Sequence, residues 1–329
     1  MSSTRPHVST AASVTYQSDT APLRRVLLKH ARAAFVDRRS IDRQWRSLGY
    51  TAPPDFDTAC RESDALAALL DRLGVKVAWM EPGDTGLDSI YVRDAAMICD
   101  SGAVLCRMGK AARSAEPDAH RAAFERLGIP VLGGIGGGRH PKEGDAHREE
   151  ADAHPPGEGG GAHLEGGDVA WVGPRTLAVG RGYRTDAAGI SALRALLGGA
   201  VEEMLVVPLP HWRGPEDVFH LMSMFSPVAD DLALVYAPLL PVPFRQELLL
   251  RGIELVEVPD EEFTTQGCNV LAVAPRVVVA VDGNPRTRRK LEAAGVEVHL
   301  YRGAEISLKG GGGPTCLTRP LERSAAQLE

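Results

Sequence analysis

Residues 270–300 read VLAVAPRVVVAVDGNPRTRRKLEAAGVEVHL. Val270–Ala274 and Arg276–Val281 are runs rich in β-branched residues, which favour extended pairing. A helical stretch follows over Pro285–Ala294, then Gly295, then a further strand over Val296–Leu300. Glycine takes the left-handed backbone that closes a helix, so the unit reads strand, strand, helix, strand.

Working outward, the same punctuation recurs along the chain. Thr58–Leu73 carries Leu66, Leu69, Leu70 and Leu73 on one helical face and ends at Gly74 before Val75–Trp79. Pro117–Leu127 ends at Gly128 before Ile129–Leu132. Ala187–Leu197 ends at Gly198-Gly199 before a strand through Leu205–Val207. Pro243–Arg251 ends at Gly252 before Ile253–Val256. A strand pair, such as Ala95–Cys99 with Ala103–Arg107, precedes most of the helices. Units that each bury one apolar face must share a core, and a closed ring of five around a central ligand site satisfies them all. A layered α/β sheet accounts for the periodicity equally well.

The longest interval between closing glycines contains residues 136–162, GGGRHPKEGDAHREEADAHPPGEGGGA. This polar, Gly/Pro/His-rich stretch is expected to be a disordered insertion, because it has little apolar surface with which to order itself. His140, His147 and His154 recur at sevenfold spacing, but a flexible loop fixes no metal-ligand geometry. Residues 1–20 are rich in Ser, Thr and Ala, lack an apolar signal core, and are expected to form a flexible terminus. Residues 21–323 are expected to form a single α/β catalytic domain.

Bulk properties narrow the function. A net charge of -6 lacks the basic balance of nucleic-acid binders. No run approaches the roughly 20 apolar residues of a membrane span. Cys60, Cys99, Cys106, Cys268 and Cys316 are odd in number and show no CxxC spacing, which argues against a disulfide framework or structural zinc. A reducing cytoplasm is the expected compartment, and there a thiol stays available for chemistry.

Four stretches carry residues suited to catalysis. Residues 309–320, KGGGGPTCLTRP, place Cys316 after a run of glycines whose backbone can approach a ligand and offer free N–H donors. Such donors lower a thiol pKa. The bland alternative, a flexible linker, is weakened by Leu317, Pro320 and Leu321. Residues 163–172, HLEGGDVAWV, set Glu165 and Asp168 across a Gly-Gly turn, where they would position a cation or act as a base. Residues 88–94, DSIYVRD, put Asp88 and Asp94 around a short extended run, suited to bidentate binding of a guanidinium. Residues 217–225, DVFHLMSMF, bury His220 in an apolar run, and it needs a thiol and a carboxylate from elsewhere to be functional. Arg107, Arg113, Arg181 and Arg184 lie near strand ends, and spacing alone does not choose a carboxylate-binding one among them.

Together these pieces resemble the guanidine-modifying superfamily, which includes dimethylargininases, arginine deiminases and amidinotransferases. The motifs stand in the family's order from about Leu23 to Pro320: Arg93-Asp94, Glu165-Gly-Gly-Asp168, His220-Leu221, then the glycine-rich loop with Cys316. The resemblance implies a five-bladed α/β propeller, or pentein, of five ββαβ units. It implies Cys316 as nucleophile, His220 as general acid and base, and Glu165 as the carboxylate that partners the histidine and grips the guanidinium side. Asp94, Asp168 and Asp88 would be acids around the substrate, and Arg113 and Arg184 would hold its α-carboxylate. A neighbouring cation and the loop donors would favour the Cys316 thiolate. No metal or organic cofactor is implied; the partner would be a small guanidine amino acid, not nucleic acid or membrane. A homodimer is the base-rate expectation for assembly.

The departures bear on substrate. Deiminases carry an acid where this chain has Met222, and methionine is adaptable and apolar enough to admit an N-alkyl group. Arg93 stands where dimethylargininases generally carry glutamate, and GGGGPTCLTRP resembles deiminases more closely. Hydrolysis of arginine or an Nω-substituted arginine is the leading expectation. Amidino transfer to an amine and a non-catalytic arginine-binding module are the alternatives.

Overall fold

The computed structural model of the chain describes residues 14–136, 161–215 and 219–324. The expected insertion therefore lies outside the described residues apart from its edges, as do His140, His147 and His154. The described chain forms five small sheets. The first takes β1 (Val14–Thr15), β2 (Leu23–Leu28) and β3 (Lys76–Trp79). The next four are β4 (Ala96–Cys99), β5 (Gly102–Leu105) and β6 (Val131–Gly134); β7 (Val169–Gly173), β8 (Thr176–Arg181) and β9 (Glu203–Pro208); β10 (Phe225–Ala229), β11 (Leu232–Val235) and β12 (Glu254–Glu257); and β13 (Val270–Ala274), β14 (Val277–Val281) and β15 (Glu297–Tyr301).

Each of these four repeats one topology. Its first two strands pair antiparallel, and a helical crossover brings the third back parallel to the second. The crossover helices are Glu116–Leu127, Ala187–Leu197, Val242–Leu250 and Pro285–Ala293, with Phe56–Arg72 serving the first sheet. Every helix expected from the apolar pattern is present, and the terminal residues differ by at most two positions. Gly74, Gly128, Gly252 and Gly295 take φ between 72° and 79° after their helices. In the third unit the helix closes on Gly198 (φ 49°), not on Gly199.

The first sheet closes the ring. Its parallel pair is β2 and β3, but its antiparallel partner arrives from the far end of the chain: β16 (Arg319–Ser324) lies between β1 and β2. The architecture is thus the five-bladed α/β propeller that the repeat and the family resemblance led us to expect. First strands such as β4 and β10 are buried throughout, whereas third strands such as β6 and β12 are half-exposed, so each blade runs from an inner first strand to an outer third. Apolar side chains gather in four clusters between neighbouring blades.

Deep among the blades lie charged groups. Arg93 is 2% exposed and donates to Asp19 Oδ1 at 2.9 Å, while Trp171 N donates to Asp19 Oδ2 at 2.8 Å. A buried guanidinium left unpaired costs several kcal/mol, and Asp19 offsets that. Over residues 14–20 this corrects the expectation of a flexible terminus, the rest of which lies outside the described residues. Residues 14–20 are part of the ring: β1 pairs with β16, and Gln17 Nε2 donates to the carbonyls of Pro174 (2.7 Å) and Ala200 (3.0 Å). A polar composition misleads here because its side chains find buried partners on other blades. Among the described residues no helix is long and apolar enough to cross a membrane.

Because β16 supplies hydrogen bonds to both β1 and β2, a chain truncated after Thr318 should lose the near-ultraviolet circular dichroism and the sharp melt of the full chain. Retention of a cooperative melt at the same temperature would show that ring closure is dispensable.

Candidate active site

Four blades present site residues just before their inner strand, and the fifth does so in the loop that feeds β16. Asp94 stands before β4, Asp168 before β7, Asn269 before β13, and His220 begins the short helix Leu221–Met224 that leads into β10. Cys316 lies three residues ahead of β16. Residues far apart in sequence therefore meet at one end of the ring.

Glu165 organises the cluster. It is fully buried, and its Oε1 accepts from Gly109 N (2.8 Å) and Arg184 Nε (3.0 Å). Its Oε2 lies 2.8 Å from His220 Nε2. Burial alone would raise the Glu165 pKa, but Arg184 and His220 overcome it and hold the carboxyl well below the usual range. For His220, burial alone would lower the pKa, yet Asp94, Asp168 and Glu165 hold it up at about 9. The histidine is accordingly an imidazolium at neutral pH that donates to Glu165.

Asp94 is held from one side only. Its Oδ2 accepts from Arg113 Nη1 at 2.6 Å, a charge-assisted bond. Its Oδ1 is buried, lies 3.8 Å from His220 Nδ1, and has no hydrogen-bond partner among the described residues. Asp168 accepts from Thr185 Oγ1 (2.5 Å) and from Leu221 N (3.0 Å), which fixes the turn carrying His220. Its burial pushes the Asp168 carboxyl up to about 6.

The glycines between Glu165 and Asp168 are steric necessities. A Cβ on Gly167 would sit 2.6 Å from His220 Nδ1 and 2.7 Å from Asp94 Oδ1, and one on Gly166 would collide with the carbonyl of Arg93. The glycines before Cys316 act likewise: side chains at Gly310 and Gly312 would strike Tyr91, and one at Gly313 would strike Asn269. The loop is thus packed down on Tyr50, Tyr91 and Asn269 rather than left open for a ligand to approach.

Cys316 is half-buried and accepts from Asn269 Nδ2 at 3.3 Å. The other four cysteines are buried. Burial and the nearby Asp94 carboxylate push the Cys316 thiol up to about 11, and the Asn269 contact only partly opposes them. This corrects the expected low-pKa thiolate: in the free protein the sulfur is a thiol.

Each of the Arg113 nitrogens already donates within the protein. Nε and Nη2 form a bidentate pair with Glu116 (2.9 and 2.8 Å), Nη1 holds Asp94, and Nη2 also reaches the carbonyls of Asp88 and Tyr91. The geometry makes Arg113 a brace for Asp94, not the receptor for a substrate carboxylate expected from its position. Arg184 differs: its Nη2 is buried without a hydrogen-bond partner, 3.0 Å from Glu165 Oε1 but not aligned to donate to it. Asp88 Oδ2 accepts from Lys110 Nζ at 2.9 Å. Arg93 points at Asp19, and only its backbone serves the site, donating from N to the carbonyl of Cys316 at 3.1 Å.

Sequence reasoning left Asn269, Thr185, Gly109 and Lys110 out of the site. Asn269 was legible in principle, since it occupies the position before an inner strand that Asp168 holds in its own repeat. Asp94, Glu165 and His220 offer ligand atoms within 4.8 Å of one another, a spacing a metal ion would accept. Both Glu165 oxygens are already committed, so an ion there would have to break the His220 or Arg184 contact.

The His220 pKa lies above its unfolded value of 6.5, so this pair stabilises the fold fully below 6.5 and loses that contribution as pH rises through about 9. The melting temperature should therefore fall over that window, and a His220→Gln variant should show a flatter profile. Identical slopes would contradict the assignment. Alkylation of Cys316 by iodoacetamide should accelerate as pH climbs toward about 11; a rate already saturated at neutral pH would contradict the thiol state.

The sequence and the fold have counterparts among known proteins. The family profile described as arginine deiminase matches residues 88–242 and 237–323. The arginine deiminase of Mycobacterium avium is 31% identical over 192 residues, 49% of this chain and 47% of that protein. The arginine deiminase of Listeria welshimeri is 26% identical over 275 residues, 71% of this chain and 61% of that protein. The chain thus spans about half the length of the first curated relatives it matches. A cysteine-to-serine variant of the DDAH from Pseudomonas aeruginosa, complexed with citrulline, superposes with a TM-score of 0.68 at 20% identity, covering 91% of this chain and all of that one (100%). That likeness bears on the fold.

Proposed function

The chain belongs to the arginine deiminase family, and from that premise we propose that it is a cysteine-dependent hydrolase acting on the guanidine group of arginine or an Nω-substituted arginine. One observation carries the reading: Asp94 Oδ1 is buried and unpartnered beside His220, in a cluster that also holds the Cys316 thiol. A buried carboxylate oxygen without a donor calls for a cation with N–H groups, and a guanidinium supplies both.

The cation also answers the unreactive thiol. At an effective dielectric of about 20, a positive charge about 4 Å from the sulfur contributes roughly 4 kcal/mol. That is a factor of about 10³ in the thiolate population. Substrate binding would thereby create its own nucleophile, with the thiol proton passing to solvent.

The thiolate attacks the guanidinium carbon and forms a C–S bond. The leaving nitrogen takes a proton from the His220 imidazolium as its C–N bond breaks, giving ammonia or an amine and a covalent thiouronium. His220, now neutral, takes a proton from water as that water adds to the same carbon. The C–S bond then breaks as the added hydroxyl loses its proton to solvent and becomes the carbonyl, Cys316 leaves as thiolate, and citrulline is released. Glu165 keeps the imidazole oriented throughout and stabilises its charged form. Amidino transfer would need the other C–N bond to break: ornithine would leave from Nδ, and the amidino carbon held on Cys316 would be captured by an amine instead of water.

The test is incubation with arginine, Nω-methylarginine, Nω,Nω-dimethylarginine, or arginine plus glycine, with products identified by mass spectrometry. Citrulline is expected from the wild type, and Cys316→Ser should abolish turnover while the melt is kept. Ornithine with an amidinated glycine would replace hydrolysis by transfer, and full activity in the serine variant would sink the nucleophile assignment.

A further inference from the structure

Lys110 stands out among the charged groups around the site. Its Nζ donates to Asp88 Oδ2 at 2.9 Å and to the carbonyl of Leu48 at 2.8 Å. A carboxylate and a carbonyl converging on one nitrogen form a receptor for a primary ammonium, and here the protein's own lysine fills it. Both partners are largely buried, with side-chain exposures of 19% for Lys110 and 9% for Asp88. The pair is therefore poorly screened by solvent.

The pair borders the reacting groups. Gly109, the preceding residue, donates its N–H to Glu165, and its Cα packs on Arg184, so that a Cβ there would lie 3.3 Å from Arg184 Cα. On the other side Arg113 joins Asp88 to Asp94, bonding the carbonyl of the first and the carboxylate of the second. The end of a substrate remote from its guanidine would enter a space edged by Lys110 and Arg184.

The charges there favour one sign. Arg184 Nη2 is buried and, although paired in charge with Glu165 Oε1 at 3.0 Å, makes no hydrogen bond among the described residues, and an ammonium has three N–H groups, of which Lys110 commits two. Both offer donors to an anion. Asp88, the acid that would otherwise attract a substrate ammonium, is already neutralised, and Lys110 repels such a group.

We infer that Lys110 sets the specificity of this site for guanidines whose distal end is a carboxylate without an adjacent ammonium, the ω-guanidinoalkanoate class. This rests on the reading of the site as a guanidine hydrolase. Lys110 occupies the ammonium receptor, and it shares the carboxylate with Arg184 in place of the fully committed Arg113.

The experiment compares three probes of one chain length class: 4-guanidinobutanoate (carboxylate only), arginine (carboxylate and ammonium) and agmatine (ammonium only). The wild type should rank them in that order by kcat/KM, with at least tenfold between first and last. Lys110→Met frees Asp88 and removes a cation, so 4-guanidinobutanoate should lose about tenfold, mainly in KM, while agmatine gains. Lys110→Arg should keep the wild-type ranking. Calorimetric binding of the same probes to a Cys316→Ser background gives the ranking independently of turnover. A wild type that prefers arginine, or a Lys110→Met variant that shifts all three probes by one factor, would overturn the inference and leave the guanidine reading standing. Absence of both binding and turnover for every probe, and for Nω-methylarginine and Nω,Nω-dimethylarginine beside them, would overturn the guanidine reading itself.

Discussion

The pairing of β16 with β2 is the contact on which the rest depends. It joins strands from opposite ends of the described chain and completes a blade that no local hairpin supplies. Cys316 sits on the loop that feeds this strand, and its carbonyl is tied to Arg93 N. Arg319, the first residue of β16, donates from Nη2 to the carbonyl of Arg93 at 2.6 Å. The closure that completes the ring therefore also delivers Cys316 beside Asp94. Antiparallel register leaves little freedom in this, because a slip by one residue would turn every side chain of β16 to the wrong face.

Inside that ring, charge is arranged so that each group is defined by what its neighbours leave over. Glu165 uses both oxygens on protein donors and is a fixed anion. Asp94 uses one oxygen on Arg113 and keeps the other. Asp168 spends its oxygens on Thr185 and on the backbone under His220. Three acids that look alike in the sequence thus divide into one that holds the histidine, one with an oxygen to spare and one that supports a turn. The same logic separates the arginines: Arg93 compensates Asp19, Arg113 braces Asp94, and Arg184 retains a free donor.

The fold was legible because its signals are local. Each helix ends where a glycine permits it, and a short apolar stretch follows, so five repeats are visible without knowledge of contacts. Cys316, His220 and the acids stand out in the sequence because a glycine-rich loop, a histidine in an apolar run and paired acids are unusual where they stand. What escaped was pairing. Whether Arg113 faces a substrate or Glu116, and whether Asp88 is free or held by Lys110, depends on which loops the ring brings together. The thiol was misjudged for a related reason: the glycines suggested open N–H donors, whereas the packed loop surrounds the sulfur with burial and a carboxylate. Residues 14–20 looked like a loose end because nothing in a run of polar residues announces that Asp19 will meet Arg93.

The distribution of the site over the inner strands gives the architecture a form of modularity. Cys316, His220, Asp94 and Asn269 each hang from a different blade, just ahead of its inner strand. A change in one connecting loop can retune one contact while the other blades hold theirs in register. Divergence in such a ring can proceed one loop at a time, with new substrates explored by altering a single spoke and the reaction chemistry inherited intact from the others.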